Sequence, residues 1–317
     1  MEPLIRTVDL KKYFKVKGGL LHAVDGVNLS IPRGGTLGIV GESGCGKSTL
    51  GRLILRLLPA TSGEVYFENE NILGFNKQKL RKLRSQMQII FQDPYSSLNP
   101  RMSVFELIGE PLVMNHACAN KKGREKRILD LMDTVGLARR FVNTYPHEMD
   151  GGRRQRVGVA RALALNPNFI VCDEPVSALD VSIQAQILNL LMDLQDETNL
   201  TYMFITHDLL VVRHIADEIA VMYLGQCVEK APAKELFRNP CHPYTKALLA
   251  AIPIPKLQEK RDKVLLRGEV SDPINPKPGC RFYNRCDSAR PECKEMAYEL
   301  IEITPNHFVS CFLYQAV

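Results

Sequence analysis

The sequence predicts an α/β protein built on a mainly parallel β-sheet, and three stretches of the chain support that prediction. Residues 169–172 form a continuous apolar run, which is typical of a parallel strand covered on both faces. Apolar runs at 202–205 and 218–223 flank a helical pattern at 209–216, as expected where strands and helices alternate. The short apolar run at 36–40 predicts another strand, and a glycine-rich loop follows it.

The other elements of the chain show both β-type and helical patterns. Alternating or apolar β-type patterns occur at 4–10, 22–31, 63–67 and 86–91. From about 94 to 165 the apolar period becomes helical, so we expect a mostly helical insertion there. Residues 184–195 predict an amphipathic helix within the returning β/α alternation.

The loop after residues 36–40 fits the phosphate-binding pattern G-x-x-x-x-G-K-[ST]. Its residues are Gly41, Glu42, Ser43, Gly44, Cys45, Gly46, Lys47, Ser48 and Thr49. Glycines let backbone N–H groups converge on a phosphate, and the helix predicted at 50–58 adds a favourable field for anions. Lys47 is expected to contact the β- and γ-phosphates of ATP, and Ser48 is expected to ligate Mg²⁺. Since Cys45 lies close to a helix N-terminus, we expect its thiol pKa to be lowered.

Two acidic residues follow the apolar strand at 169–172. A phosphate loop that supports hydrolysis needs an acidic residue at a neighbouring strand end for Mg²⁺, and a group that orients water. Asp173 is the expected Mg²⁺ partner, and Glu174 is the candidate general base. The two residues could also be an ordinary polar strand end, but the phosphate loop favours the catalytic interpretation.

Composition limits the class of protein. The chain has 317 residues, 45% of them hydrophobic and 24% charged, which predicts a globular protein of about two domains. No apolar run approaches the ~18 residues of a membrane helix, and the N-terminus has no signal-peptide pattern. We therefore expect any membrane role to depend on partners. The net charge of +6 is mild, so we expect no nucleic-acid partner.

The ordered set of motifs resembles the ATPase subunits of ABC transporters. After the phosphate loop come Phe91-Gln92-Asp93-Pro94, Met149-Asp150-Gly151-Gly152-Arg153, Asp173-Glu174, Ser177-Ala178-Leu179-Asp180 and Ile205-Thr206-His207-Asp208. The resemblance implies a RecA-like P-loop core with an antiparallel β subdomain and the helical insertion. Together these would form a nucleotide-binding domain over residues 1–230.

Several residue roles are implied by this resemblance alone. Gln92 resembles the glutamine that reaches Mg²⁺ and the attacking water, and His207 the histidine that contacts the γ-phosphate. Asp180 resembles the aspartate that communicates across an ATPase dimer. Phe14, or less favourably Tyr13, resembles the aromatic residue that stacks on adenine.

The segment from Asp150 to Arg153 departs from the family's usual Leu-Ser-Gly-Gly-Gln. In the family this signature faces the γ-phosphate of ATP held by the other subunit of a dimer. Asp150 is a good helix N-cap, but a carboxylate only accepts hydrogen bonds and repels phosphate. We expect Arg153, three residues on, to neutralise it.

The C-terminal stretch, residues 231–317, is expected to be an irregular extension because repeated prolines interrupt it. Four of the nine cysteines gather there: Cys280, Cys286, Cys293 and Cys311. The expected compartment is the cytosol, so clustering favours metal over disulfides. Four thiolates suit zinc or an iron–sulfur cluster, although the tight C-x₂₋₄-C pairs of zinc ribbons are missing.

Further segments resemble the oligopeptide/dipeptide branch of the ABC importers. They are residues 239–248, the stretch from Gly268-Glu269-Val270 to Asn275-Pro276, Gly279-Cys280-Arg281-Phe282, and Arg285-Cys286. The resemblance implies a [4Fe–4S] cluster and an F-type ATPase. It also implies a second, D-type ATPase, two permeases, an extracytoplasmic binding protein and a peripheral position on the cytoplasmic face of the membrane. A homodimer is possible in isolation.

Other functions remain open at this point. The same branch includes nickel and glutathione importers. A soluble ABC ATPase would be expected to carry two cassettes or a long coiled-coil insert, and neither is present in the sequence. A module that binds ATP without hydrolysis is disfavoured because Glu174 and His207 fill both hydrolytic roles.

Overall fold

A computed structural model of the protein describes residues 2–252, 272–296 and 299–315. Residues 268–270, which belong to the segments that resemble the oligopeptide/dipeptide importers, lie outside the described residues. The chain forms two compact units. Unit 1 comprises Met1–Ile31, Thr36–Leu73 and Ile205–Val317, and unit 2 comprises Pro32–Gly35 and Gly74–Phe204. The boundary predicted at residue 230 does not coincide with a boundary between these units and stays a prediction.

The secondary structure of the described residues alternates between strands and helices. The strands are β1 (Pro3–Val16), β2 (Gly19–Pro32), β3 (Thr36–Val40), β4 (Ser62–Phe67), β5 (Glu70–Asn71), β6 (Met87–Ile90), β7 (Phe169–Asp173), β8 (Thr201–Ile205), β9 (Glu218–Tyr223), β10 (Gln226–Pro232), β11 (Ile301–Thr304) and β12 (His307–Val309). The helices are α1 (Lys47–Ile54), α2 (Lys77–Gln86), α3 (Pro94–Ser97), α4 (Val104–Met114), α5 (Lys121–Thr134), α6 (Gly151–Leu163), α7 (Val181–Thr198), α8 (Leu209–Ile215), α9 (Ala233–Arg238) and α10 (Pro243–Ala250).

Unit 1 contains the predicted antiparallel β subdomain. Its strands follow the order β2-β1-β4-β5, and β1 pairs with β4 in antiparallel register, with Thr7 opposite Val65. Thr7 is buried, and its hydroxyl donates to the Val27 carbonyl oxygen at 3.0 Å. Ile5 and Thr7 are buried on either side of exposed Arg6, as expected where one face of a strand lies on a core.

A second sheet in unit 1 positions the phosphate loop. Its strands follow the order β11-β12-β10-β9-β3, and every residue of β3 is buried. β3 and β9 are parallel, with Ile39 opposite Ala220. Helix α8 covers this sheet closely, since a Cβ on Gly38 would lie 2.5 Å from a methyl group of Val212. The parallel core predicted from the apolar runs is confirmed here.

The expectation of an irregular C-terminal extension is wrong for much of its described part. That part contains α9 and α10, and β11 and β12 extend the sheet through antiparallel pairing of β12 with β10. Buried Glu229 on β10 holds these pieces together. Its carboxylate accepts the backbone N–H groups of Cys241 and His242 at 2.7 and 2.8 Å, and it bonds His307 Nε2 at 2.8 Å.

Unit 2 contains the predicted helical insertion and its own strands. β6 and β7 pair in parallel, with Ile89 opposite Val171, and the order β8-β7-β6 places the fully buried β7 between its neighbours. Helix α4 begins with a capping box in which Ser103 and Glu106 satisfy each other's backbone N–H groups. Among the described residues of the whole chain, no helix combines the length and apolar character needed to span a membrane.

Candidate nucleotide-binding and hydrolysis site

The phosphate loop of unit 1 runs from the end of β3 to the start of α1, and two of its glycines stand where no side chain fits. Gly41 has φ +151°, and a Cβ there would lie 2.2 Å from the carbonyl oxygen of Met222. Gly46 has φ +102°, and a Cβ would lie 2.0 Å from the carbonyl oxygen of Ala23. Side chains are excluded by both conformation and space, so the loop can keep its tight curl only with glycine at these positions.

Helix α1 begins at Lys47, three residues earlier than predicted, and no side chain caps its N-terminus. Gly46 is the N-cap and offers no side-chain hydrogen bond to the first turn. The first N–H groups of a helix have no partner within the helix, and they carry its positive dipole end. This end is therefore suited to an anion. Ser43 and Gly44, at the crest of the loop, are exposed.

Lys47 is buried inside the loop rather than extended from it. Its Nζ donates to the carbonyl oxygens of Gly41 at 2.8 Å and Glu42 at 2.9 Å, and the residue is 5% exposed. The ammonium is thus held in place by two loop carbonyls. It supplies a fixed positive charge at the base of the loop, next to Ser48.

The expected lowering of the Cys45 thiol pKa is wrong. Cys45 is 3% exposed, and burial raises the pKa of its thiol, because the opposing charge of Lys47 does not offset the loss of water. The motif correctly places Cys45 beside a helix N-terminus, but its Sγ points into the protein. Sequence position alone could not show that burial would decide the pKa.

The aromatic residues predicted to stack on adenine differ in their contacts. Tyr13 donates its hydroxyl to Asp25, and its ring stacks on His22 with centroids 3.9 Å apart. Phe14 has Lys12 Nζ 4.9 Å from its ring centroid and is partly exposed. Because both polar and ring contacts already hold Tyr13, Phe14 remains the better candidate for adenine.

His207 lies in unit 1, two residues after the end of β8, and its side chain is exposed. The backbone around it is fixed on both sides. Thr206 N–H donates to the Ile39 carbonyl oxygen at 3.1 Å, and the Thr206 hydroxyl accepts from Asp208 N–H at 3.0 Å. Asp208 in turn caps α8. The histidine therefore sits on a rigid turn, next to the end of the buried strand.

Unit 2 brings two of the predicted hydrolytic residues together. Gln92 Nε2 donates to Glu174 Oε2 at 2.9 Å, although 82 residues separate them in the chain. Asp173 is 3% exposed at the end of β7, and Glu174 follows with φ +49°, a left-handed conformation that non-glycine residues rarely adopt. Asp180 is the N-cap of α7 and accepts from Ile183 N–H at 3.0 Å.

The signature segment of unit 2 has the geometry predicted for it. Asp150 is the N-cap of α6 and accepts Arg153 N–H at 2.8 Å, while Arg153 Nη1 lies 3.1 Å from the second carboxylate oxygen. Gly152 is needed for close packing, since a Cβ there would lie 2.7 Å from a methyl group of Ile183. A Cβ on Gly151 would lie 3.1 Å from a methyl group in the turn that precedes α7.

The four C-terminal cysteines line one small pocket of unit 1. Cys280 N–H donates to the Cys293 carbonyl oxygen at 2.7 Å, which joins the two segments that carry them. Burial raises the pKa of the Cys280 thiol to about 11. Among the described residues, Glu229, Cys241 and His307 each place one potential metal-ligand atom within 4.8 Å of the other two. No three of the four C-terminal cysteines, all of them described, meet the same criterion.

Sequence reasoning missed the residues that hold the phosphate loop from the C-terminal side. Arg285 donates two hydrogen bonds to the Glu42 carboxylate at 2.8 and 2.9 Å, and the Tyr244 hydroxyl accepts Glu42 N–H at 2.8 Å. These partners lie 243 and 202 residues from Glu42 along the chain. No local pattern in the sequence signals either contact.

The parallel core, phosphate loop, Gln92–Glu174 pair and capped glycine signature together define an ATPase of the ABC class. A family model described as "ABC transporter" matches residues 24–177. A second, described as "Oligopeptide/dipeptide transporter, C-terminal region", matches residues 228–293. The chain belongs to the family of ATP-binding proteins of oligopeptide and dipeptide ABC transporters.

Individual relatives cover almost the whole chain. The oligopeptide transport ATP-binding protein AppF of Bacillus subtilis (strain 168) is 49% identical over 323 residues, which cover 99% of this chain and 98% of that protein. The dipeptide transport ATP-binding protein DppF of Haemophilus influenzae is 49% identical over 316 residues, covering 98% and 96%. The ATP-binding cassette MJ0796, in a dimeric post-hydrolysis structure bound to ADP and Pi, is 32% identical. It aligns with a TM-score of 0.67 over 72% of this chain and 98% of its own.

Proposed function

We propose that this chain binds and hydrolyses ATP to power a membrane importer of oligopeptides or dipeptides. The observation that carries the proposal is the full-length relation to peptide transport ATP-binding proteins at 49% identity. An α1 N-terminus without a side-chain cap and a loop with two obligatory glycines support ATP as the ligand. As an alternative, this chain would power an importer of nickel or glutathione from the same branch.

One group of the predicted site residues has a proposed role in binding the nucleotide. Residues Gly41 to Thr49 cradle the phosphates with their N–H groups, and Lys47 adds the fixed positive charge. Phe14 stacks on adenine. Ser48, Gln92 and Asp173 are the proposed Mg²⁺ ligands, and oxygen ligands of this kind suit that ion. Bound Mg²⁺ would neutralise charge on the β- and γ-phosphates.

Hydrolysis requires a water in line with the γ-phosphate and an acceptor for its proton. Glu174 is the proposed acceptor, and the 2.9 Å hydrogen bond from Gln92 orients its carboxylate. As the water oxygen bonds to phosphorus, the bond to the ADP oxygen breaks and the water proton passes to Glu174. His207 is the proposed donor to the γ-phosphate, where negative charge is concentrated.

The signature of this chain is proposed to act on ATP bound by a partner ATPase. Asp150, Gly151, Gly152 and Arg153 would face that nucleotide across a dimer, and Asp180 would relay the state of one site to the other. A D-type ATPase is the proposed partner, with a homodimer possible in isolation. ATP binding would close the dimer and hydrolysis would release it, because the nucleotide binds the closed state preferentially.

The complete transporter is proposed to contain two permease subunits and an extracytoplasmic binding protein. This chain would associate peripherally with the cytoplasmic face of the membrane through the permeases. Peptide transport by the named relatives supports this assembly.

A Cys-rich C-terminal extension holding a [4Fe–4S] cluster completes the proposal, with Zn²⁺ as the alternative. Cys280, Cys286, Cys293 and Cys311 would be the ligands, and all four line one pocket. Thiolates suit either group, and the tight C-x₂₋₄-C pairs usual in zinc ribbons are missing from the sequence, which favours the cluster. Bound iron and sulfide would cross-link the surrounding turns.

Turnover by a Glu174→Gln variant tests the enzymatic part of the proposal. The amide keeps the size of the side chain but cannot take a proton from water. We expect the variant to retain ATP binding and to lose hydrolysis by at least about 100-fold. A variant that hydrolyses ATP at the rate of the unmodified chain would contradict the assignment of Glu174.

Metal analysis of anaerobically purified protein tests whether the C-terminal extension holds a [4Fe–4S] cluster. We expect iron and acid-labile sulfide with brown visible absorbance, and loss of both in Cys286→Ser. A colourless protein with one bound zinc would refute the cluster in favour of the alternative.

A further inference from the structure

The C-terminal segment that carries Cys280 and Cys286 also carries an arginine that reaches the phosphate loop. This arginine, Arg285, lies in a tight turn in which its N–H donates to the Phe282 carbonyl oxygen and Cys286 N–H donates to that of Tyr283. The Arg285 side chain is only 6% exposed. A buried guanidinium must be paired, because it remains charged at any pH a protein experiences.

Glu42, the second residue of the phosphate loop, supplies that pairing. Both terminal nitrogens of Arg285 donate to its carboxylate, at 2.8 and 2.9 Å, in the bidentate geometry that is strongest for this pair. Arg285 also lies 3.4 Å from the Tyr223 hydroxyl. The Glu42 side chain is 25% exposed, so the ion pair is largely protected from water.

The remaining polar groups of Glu42 are held as well. Its N–H donates to the Tyr244 hydroxyl, and its carbonyl oxygen accepts both Lys47 Nζ and Cys45 N–H. Glu42 is therefore fixed by the extension on its outer side and bound to the phosphate-contacting lysine on its inner side. Movement of Arg285 would be transmitted to the loop through one residue.

Aromatic packing makes the outer anchor rigid. Phe282 is buried against Tyr223 and Tyr244, with ring centroids 5.2 and 5.4 Å away, and the two tyrosines meet edge to face at 4.7 Å. Edge-to-face and tilted arrangements at these distances are favourable for aromatic rings. The turn bearing Arg285 is thus built onto the same core as the loop it contacts.

Charge gives this contact a consequence for the nucleotide. A carboxylate in a phosphate loop repels a triphosphate, since like charges near a protein surface are screened less than they are in bulk water. Arg285 cancels that charge and holds the carboxylate on the side of the loop where it bonds the extension.

We infer that Arg285 is a positioning residue for ATP binding, which acts by holding and neutralising Glu42. The inference makes the cysteine-bearing segment a functional part of the nucleotide site, and it rests on the proposed binding of ATP by this loop. Without Arg285, the negative charge of Glu42 would repel ATP and weaken its binding. Without the Glu42 charge, the positive Arg285 would be left near the phosphates and would strengthen ATP binding.

Equilibrium ATP titration of four variants in the full-length chain tests the inference. We expect Arg285→Ala to weaken ATP binding roughly 10- to 100-fold, the scale of one uncompensated charge in this setting. Glu42→Gln alone should bind ATP more tightly than the unmodified chain, and Glu42→Gln combined with Arg285→Ala should regain most of the affinity that Arg285→Ala removes. Arg290→Ala, an exposed arginine of the same segment, is the matched control and should bind as the unmodified chain does.

The direction of the Glu42→Gln effect separates positioning from simple structural support. If Arg285→Ala and Glu42→Gln weaken binding equally, or if the double variant is no better than Arg285→Ala, the inference is overturned. Arg285→Lys keeps the positive charge but cannot form the bidentate hydrogen bond to Glu42. If the alanine variant does not fold, a folded lysine variant whose ATP affinity is reduced to a smaller extent supports the inference. Failure of the unmodified chain to bind ATP would refute the proposed function itself.

Discussion

Replacing Asp150 with serine isolates the chemistry of the unusual signature from its structural role. The structural role is N-capping, and serine caps a helix about as well as aspartate. Serine also removes the ion pair with Arg153, whose nitrogen lies 3.1 Å from the carboxylate while the two side chains are 44% and 58% exposed. Exposed pairs of this kind contribute at most about 1 kcal/mol. We therefore expect Asp150→Ser to lower the free energy of unfolding by less than about 1 kcal/mol.

Asp150→Ala is the matched control because it removes the cap as well as the charge. Loss of the cap alone costs about 1 kcal/mol, so the alanine variant should be distinctly less stable than the serine variant in urea or thermal unfolding. Equal destabilisation by serine and alanine would show that the 2.8 Å cap bond to Arg153 N–H is not what Asp150 contributes.

The functional assay compares ATP affinity and hydrolysis rate in the assembled transporter. Serine removes a negative charge from the segment proposed to face the partner's γ-phosphate and adds a hydroxyl donor, so we expect tighter ATP binding and a changed rate. An unchanged rate together with an unchanged affinity would refute the idea that Asp150 tunes that site.

Burial and close packing support three further predictions. Burial lowers the pKa of His242 from 6.5 to about 4, so below pH 6.5 the unfolded chain binds a proton that the folded chain does not. The free energy of unfolding should therefore fall by up to about 3 kcal/mol between pH 6.5 and pH 4. His242→Asn keeps a capping oxygen and should lack this pH dependence in urea unfolding. Buried Cys45 should react with iodoacetamide far more slowly at pH 7 than the partly exposed Cys118, as followed by peptide mass spectrometry; equal rates would refute the burial argument. Gly152→Ala should cost about 1–3 kcal/mol by clash with α7, whereas Gly158→Ala in the same helix, where a Cβ meets nothing within 4 Å, should be neutral or stabilising in the same unfolding assay.

Local patterns predicted the phosphate loop and the capped signature well, because their geometry depends on a few adjacent residues. Gly41 and Gly46 occupy conformations that only glycine adopts readily, and the motif states this directly. Asp150 and Arg153 lie three residues apart across a helix start, so their contact follows from helical geometry.

The C-terminal elements escape local prediction because proline does more than break structure. Pro243 occupies the first position of α10, where proline favours a helix start, and His242 caps that helix through its Nδ1. Strands β11 and β12 depend on pairing with β10, some 80 residues earlier in the chain. Such pairing has no signal in a short sequence window.

The coupling of Arg285 to Glu42 was likewise beyond local reasoning. Its geometry arises from the meeting of two segments that are distant in sequence, on an aromatic core shared by Tyr223, Tyr244 and Phe282. Sequence patterns identified the cysteines as a group, but not the adjacent arginine as the link to the phosphate loop.

ATP-driven peptide uptake by proteoliposomes that contain this chain and its partner subunits tests the central claim most directly. We predict that a labelled peptide accumulates only with ATP and Mg²⁺, and that Glu174→Gln in this chain abolishes accumulation while ATP stays bound. Peptide accumulation at the full rate with the Glu174→Gln chain, or without any ATP, would contradict the claim that ATP hydrolysis by this chain powers peptide import.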